Sequence, residues 1–261
     1  MLYRKTQADF FFVRSTLSLS RFLFCLSLWL LGTVAQAHAE LRLAVAANFA
    51  DTLEALAADY QASTGDKVTV VRGSSGKLYA QIVQGAPFDI FFSADADRPK
   101  ALEAKGLIAT GSRQPYALGQ LVLWPAGPTP EDALKEFAYG RFSIANPRLA
   151  PYGKAAMEVL TKLAILDKAQ PRLVRGENIS QAYQYVYSGN AEAGLLARSQ
   201  MRNDDDFWEV PTNWYAPIEQ QRVVMKNSKL QRAAEQFLAF MQTEEAEARI
   251  LSAGYRLPGA H

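Results

Sequence analysis

Short apolar runs alternate with stretches of helical period from Leu41 to Met225, and this alternation restricts the fold more than any other feature of the chain. The run "LRLAVAA" (41–47) reads as a buried strand, and "NFADTLEALAADYQAST" (48–64) places Leu53, Leu56, Ala57 and Tyr60 at helical spacing. Asn48 is expected to cap that helix, with Asp51 in its first turn. "KVTVVRG" (67–73) is a second strand, "SGKLYAQIVQG" (75–85) a helix closed by Gly85, and "FDIFFSA" (88–94) a third strand. Units spaced this way imply parallel strands with helices packed on the sheet.

The same grammar returns in the second half. "QLVLWP" (120–125), "RFSIANP" (141–147), "PRLVRG" (171–176) and "AEAGLLA" (191–197) read as strands. "EDALKEFA" (131–138), "YGKAAMEVLTKLAIL" (152–166) and "NISQAYQYVYSG" (178–189) read as helices between them. After a last strand, "EQQRVVM" (219–225), Ser228 is expected to cap a helix with Ala233, Phe237, Phe240 and Met241 on its apolar face. A final helix from about Thr243 to Ser252 ends at Gly254. No low-complexity linker separates the halves. The expectation is an α/β protein of two lobes, residues 40–118 with 225–261 and residues 119–224, joined by crossing strands.

Residues 1–39 stand apart. Arg4, Lys5, Arg14 and Arg21 precede the apolar stretch from Phe22 to Leu31, and Ala35-Gln36-Ala37-His38-Ala39 follows with small residues at signal-peptidase spacing. The stretch is shorter than the ~20 residues of a membrane-spanning helix. Residues 1–39 are therefore expected to be a secretory leader. Phe24 before Cys25 is too large for lipoprotein processing, which favours a soluble exported protein.

Removing the leader leaves 222 residues with 24 Lys/Arg and 25 Asp/Glu, against 28 and 26 in the full chain. The basic character belongs to the leader, so nothing points to a nucleic-acid partner. Cys25 goes with the leader, His38 lies at the cleavage site and His261 is the last residue. Such a chain has no thiol nucleophile, no Ser-His pair and no histidine metal site.

Ligands in open α/β sheets lie beyond the carboxyl ends of the strands. Four strand-to-helix junctions place small or polar residues there: Ala47-Asn48, Gly73-Ser74-Ser75-Gly76, Pro151-Tyr152-Gly153 and Glu177-Asn178-Ile179-Ser180. Each offers main-chain N–H groups at a helix start, which attract anions without any formal charge. One such junction alone is ordinary capping. Several aimed at one point would form an oxyanion cradle. The second junction is not a phosphate loop, because Gly73 and Gly76 are two residues apart and Leu78 follows Lys77.

The stretch "LAVAANFADTLEALAADYQASTGDKVTVVRGSSGKLYAQIVQGAPFDIFFSADAD" resembles the periplasmic molybdate-binding proteins of bacterial ABC transporters. The likeness continues through "LGQLVLWP", "IANPRLAPYGKAAMEVL" and "ENISQAYQYVYSGNAEAGLL" to "SAGYRLP", and "GAPFDIFFSADAD" is its most specific part. The resemblance implies a two-lobed (type II) periplasmic binding protein, each lobe a mostly parallel sheet flanked by helices. It implies a monomer without cofactor that closes on molybdate or tungstate and delivers it to a permease of the inner membrane. Metal would be bound only as the oxyanion.

Carried onto this sequence, the resemblance makes Asn48 and Ser75 donors from the first lobe and gives Tyr152 and Ile179 as main-chain donors from the second. It sets Ala94 in the pocket wall beside the anion, with Ala47 and Ser74 shaping that wall. Some family members add a tyrosine hydroxyl from the strand matching "GLLA"; Ala197 stands there, and the Asn48 amide is expected to replace it.

Two other readings remain open from the residues: a receptor for another oxyanion such as sulfate, and an exported hydrolase using Asp89 and Asp95. Asp204-Asp205-Asp206 reads as a solvated acidic loop.

Overall fold

The computed structural model describes residues 40–202 and 204–259, so the expected leader, with Cys25 and His38, and the terminal His261 lie outside the described residues. The chain begins with β1 (Glu40–Ala46), a 3-10 turn (Ala47–Phe49) and α1 (Ala50–Thr64). β2 (Lys67–Gly73), α2 (Ser75–Val83), β3 (Ile90–Phe92), α3 (Asp97–Ala104) and β4 (Gln114–Gly119) complete the first run. The second contains β5 (Leu121–Trp124), α4 (Pro130–Glu136), β6 (Phe142–Ala145), α5 (Pro151–Lys162), α6 (Leu166–Ala169), β7 (Leu173–Gly176), α7 (Ile179–Tyr187), β8 (Ala193–Ala197) and β9 (Trp208–Glu209). β10 (Ile218–Val224), α8 (Gln231–Phe240) and α9 (Glu244–Ser252) close the chain.

The strands form two five-stranded sheets, β2-β1-β3-β10-β4 and β7-β6-β8-β5-β9. Each is mixed: β1 pairs in parallel with β2 and β3, and β6 with β7 and β8, while β10 and β5 run antiparallel to both of their neighbours. The antiparallel strands are the ones adjoining the crossings. Only Gln120 separates β4 in the first sheet from β5 in the second, and the chain returns between β9 and β10. β10, which the sequence reading left within 119–224, therefore pairs entirely in the first sheet.

Period-two burial explains why the first sheet is covered on both faces. Leu41, Leu43 and Val45 of β1 join Phe92 and Phe237 on one side, whereas Ala44 joins Leu78, Phe91 and Val223 on the other. The second sheet packs Leu121, Leu123, Phe142, Ile144 and Leu195 against α5 and α7.

Two expected caps are not made. Asn48 lies inside the 3-10 turn and caps no helix, and α8 begins after Leu230 without a side-chain cap. Ser228 instead donates to Asp89 Oδ1 at 2.6 Å and accepts from Leu230 N at 3.0 Å, tying the segment before α8 to the loop ahead of β3.

Candidate oxyanion site

Four helix starts, from parts of the chain far apart in sequence, meet at one small cavity of about 10 Å³ lined by Ala46, Ala47, Asn48, Ser74, Ser75, Ala94, Ala150, Pro151, Tyr152, Asn178 and Ile179. All five residues expected at the site, Asn48, Ser75, Ala94, Tyr152 and Ile179, are in this lining, and each is buried. The 3-10 turn and α2 supply one wall, and α5 and α7 the other.

No charged side chain is in the lining. The attraction available to an anion is that of helix-start N–H groups, helix dipoles and hydroxyls. In α7 the Asn178 side chain accepts from Gln181 N at 2.9 Å, leaving the Ile179 end of the helix at the cavity. Pro151 at the head of α5 has a preset φ and no N–H to satisfy, so Tyr152 supplies the first main-chain donor there.

Ser75 begins α2 one residue after its cap, Ser74, whose hydroxyl accepts from Lys77 N at 3.4 Å. Ser75 Oγ accepts the Ala94 N–H at 3.0 Å. That bond fixes the hydroxyl oxygen and leaves its own O–H to donate into the cavity. Ala94 is wall rather than donor, because its N–H is already taken by Ser75.

The Asn48 amide does not replace the missing tyrosine. Its Nδ2 donates to Gln220 Oε1 at 2.8 Å and to Tyr255 Oη at 3.1 Å, so both of its hydrogens are spent behind the cavity wall. Tyr255 Oη donates back to Asn48 O at 2.6 Å, and Ser199 Oγ donates to the same carbonyl at 3.0 Å. What Asn48 can offer a guest is its main chain. Ala197, at the end of β8, is buried and lies outside the lining.

A second layer behind the wall was not legible in the sequence: Tyr116, Gln220 and Tyr255, with Tyr116 Oη donating to Gln220 Oε1 at 2.9 Å. Burial pushes the Tyr116, Tyr152 and Tyr255 hydroxyls above the ordinary tyrosine range, so all three are neutral at neutral pH.

The two walls are held together by bonds between the halves. Gly76 N donates to Leu149 O at 2.9 Å, Ser180 Oγ to Ala47 O at 3.3 Å, and Lys77 pairs with Glu177 at 2.5 Å. Gly76 eases that approach, since a Cβ there would lie 3.1 Å from the Leu149 main chain and the neighbour would have to give by a few tenths of an ångström. Ser180, named with the fourth junction, thus bridges the halves.

Asp89 and Asp95 are both engaged in structural bonds. Asp89 accepts from Arg42 N at 2.8 Å and from Ser228, while Asp95 accepts from Ser93 Oγ at 3.0 Å and Arg98 N at 3.1 Å and pairs with the Arg98 guanidinium. Neither lines the cavity. Among the described residues no group of three or more His, Cys, Asp or Glu side chains could hold a metal ion.

Residues 41–256 match the family model described as bacterial extracellular solute-binding protein. The chain is 41% identical over 249 residues to the molybdate-binding protein ModA of Azotobacter vinelandii, covering 92% of this chain and 98% of that protein. It is 42% identical over 224 residues to ModA of Rhodobacter capsulatus, covering 84% and 89%. The solved structure of the Azotobacter vinelandii periplasmic molybdate-binding protein superposes with a TM-score of 0.80 at 41% identity, covering 84% of this chain and 99% of that one.

Proposed function

The chain belongs to the bacterial extracellular solute-binding protein family, and within it we propose a receptor that captures molybdate in the periplasm and hands it to an ABC permease. The observation that carries this reading is a cavity of small-ion size, walled by four helix starts and lined by no carboxylate. Molybdate is fully deprotonated near neutral pH, so it accepts hydrogen bonds and offers none. A lining of donors suits it. Hydrogenphosphate would need an acceptor for its proton.

Ser75 donates through its hydroxyl, and Asn48, Tyr152 and Ile179 through main-chain N–H groups, with Ala94 as the adjoining wall. Each hydrogen bond to a charged group contributes about 1.5–3 kcal/mol, which offsets the cost of drying the dianion. Tungstate, of the same charge and nearly the same size, binds at the same donors. Sulfate has the same charge but is smaller, so geometry must reject it. Binding draws the lobe of β1–β4 and β10 and the lobe of β5–β9 together about the Gln120 crossing and the return before β10, and the permease reads the closed form. The protein works as a monomer and needs no cofactor.

The test is calorimetry on protein expressed with its own leader and recovered from the periplasmic fraction. Tight one-to-one binding of molybdate and tungstate, with sulfate and phosphate far weaker, is expected. A folded, anion-free sample that gives no heat with any of the four would overturn the reading, and so would a preference for sulfate.

A further inference from the structure

Gln220 is a fully buried amide on β10, and its position is peculiar to the return crossing. The pairing of β10 with β4 slips between Gln220 and Gln221, an irregularity of the kind that re-aims a strand side chain. Burying an amide is costly unless its polar atoms find partners. Those of Gln220 find them on both sides of the cavity. Its Oε1 accepts from Asn48 Nδ2 at 2.8 Å and Tyr116 Oη at 2.9 Å, both from the first lobe. Its Nε2 points the other way and reaches Tyr152 Oη, from the second lobe, at 3.5 Å.

The Tyr152 ring end is seated on the crossing itself. A Cβ at Gly119 would fall 2.2 Å from Tyr152 Oη and 3.0 Å from Gln220 Nε2, so only glycine leaves room for this meeting. Asn48 and Tyr152 both line the cavity, one in each wall. Gln220 therefore touches, through one rigid amide, the side chain behind each wall.

We propose that Gln220 is a positioning residue for anion size: it fixes the gap between the Asn48 turn and the head of α5, and so sets the preference for molybdate over the smaller sulfate. This rests on the receptor reading above. The amide does not touch the anion; it acts through Asn48 and Tyr152.

The measurement is the ratio of the sulfate to the molybdate dissociation constant, with sulfate read by competition, in wild type, Gln220→Met and Gln220→Glu. Methionine fills the space without an acceptor, and the ratio is expected to fall about tenfold. Glutamate keeps oxygens for Asn48 and Tyr116 and adds a charge that repels both dianions alike, so both affinities drop while the ratio stays near wild type. A merely structural role would weaken both anions together in Gln220→Met and leave the ratio unchanged, which overturns the inference. If Gln220→Met does not fold, Tyr152→Phe removes only the far contact and should lower the ratio about threefold; an unchanged ratio there overturns it as well. A wild-type protein that binds molybdate while Gln220→Met or Tyr152→Phe keeps its selectivity sinks this inference alone, whereas one that binds no oxyanion sinks the receptor reading with it.

Discussion

The two walls of the cavity are chemically unlike. The first-lobe wall includes a side-chain donor, Ser75, whose oxygen is anchored by Ala94 N, and a turn whose amide is tied back to Gln220 and Tyr255. The second-lobe wall offers helix-start main chain at Tyr152 and Ile179, whose side chains are buried, that of Tyr152 ending against Gly119 and Gln220. A substitution can delete a donor from the first wall directly. From the second it can do so only by moving a helix.

Gly153→Ala should therefore have the largest effect. A Cβ at position 153 would stand 2.2 Å from Ala145 O, main chain that cannot yield cheaply, so the head of α5 must lift from the end of β6. Displacing that helix start costs the Tyr152 donor and strains the neighbouring contacts. We expect molybdate affinity to fall about 100-fold or more, with a lowered thermal midpoint. Wild-type affinity in calorimetry would show that the α5 start does not hold the anion.

Ser75→Ala comes next. It removes one donor and leaves the Ala94 N–H without its partner, a loss of about 1–3 kcal/mol in binding. A titration in which the folded variant binds as tightly as wild type would remove Ser75 from the site and with it the asymmetry between the walls.

Ile179→Val sharpens the contrast from the other side. The buried side chain loses one methylene, about 0.5–1.5 kcal/mol of stability, while the main-chain donor stays in place. Unfolding should register the change and affinity should move by less than about threefold. A much larger loss of affinity would mean that the Ile179 side chain, rather than its N–H, governs the second wall.

What could be read from the sequence divides along the same line. Strand-to-helix junctions are local, so the four helix starts and the positions Ser75, Tyr152 and Ile179 followed from spacing and from the family resemblance. The roles of Asn48 and Ser228 did not. Local rules make both of them caps, but the partners that claim them are Gln220 and Tyr255, 172 and 207 positions from Asn48, and Asp89, 139 positions from Ser228. β10 reads as a strand, but its apolar run carries no mark of which sheet it will enter, and it enters the first. Gln220 gave no signal at all: one glutamine in "EQQRVVM" looks like the solvent-facing half of an alternating strand.

The place of β10 between β3 and β4 also governs when this chain can fold. β4 has no neighbour in its sheet except a strand made some hundred residues later, so the first sheet keeps an open edge until synthesis has passed Val224. Pairings of such long range close slowly. The second sheet, whose strands all lie between Leu121 and Glu209, has its full set before the first one does.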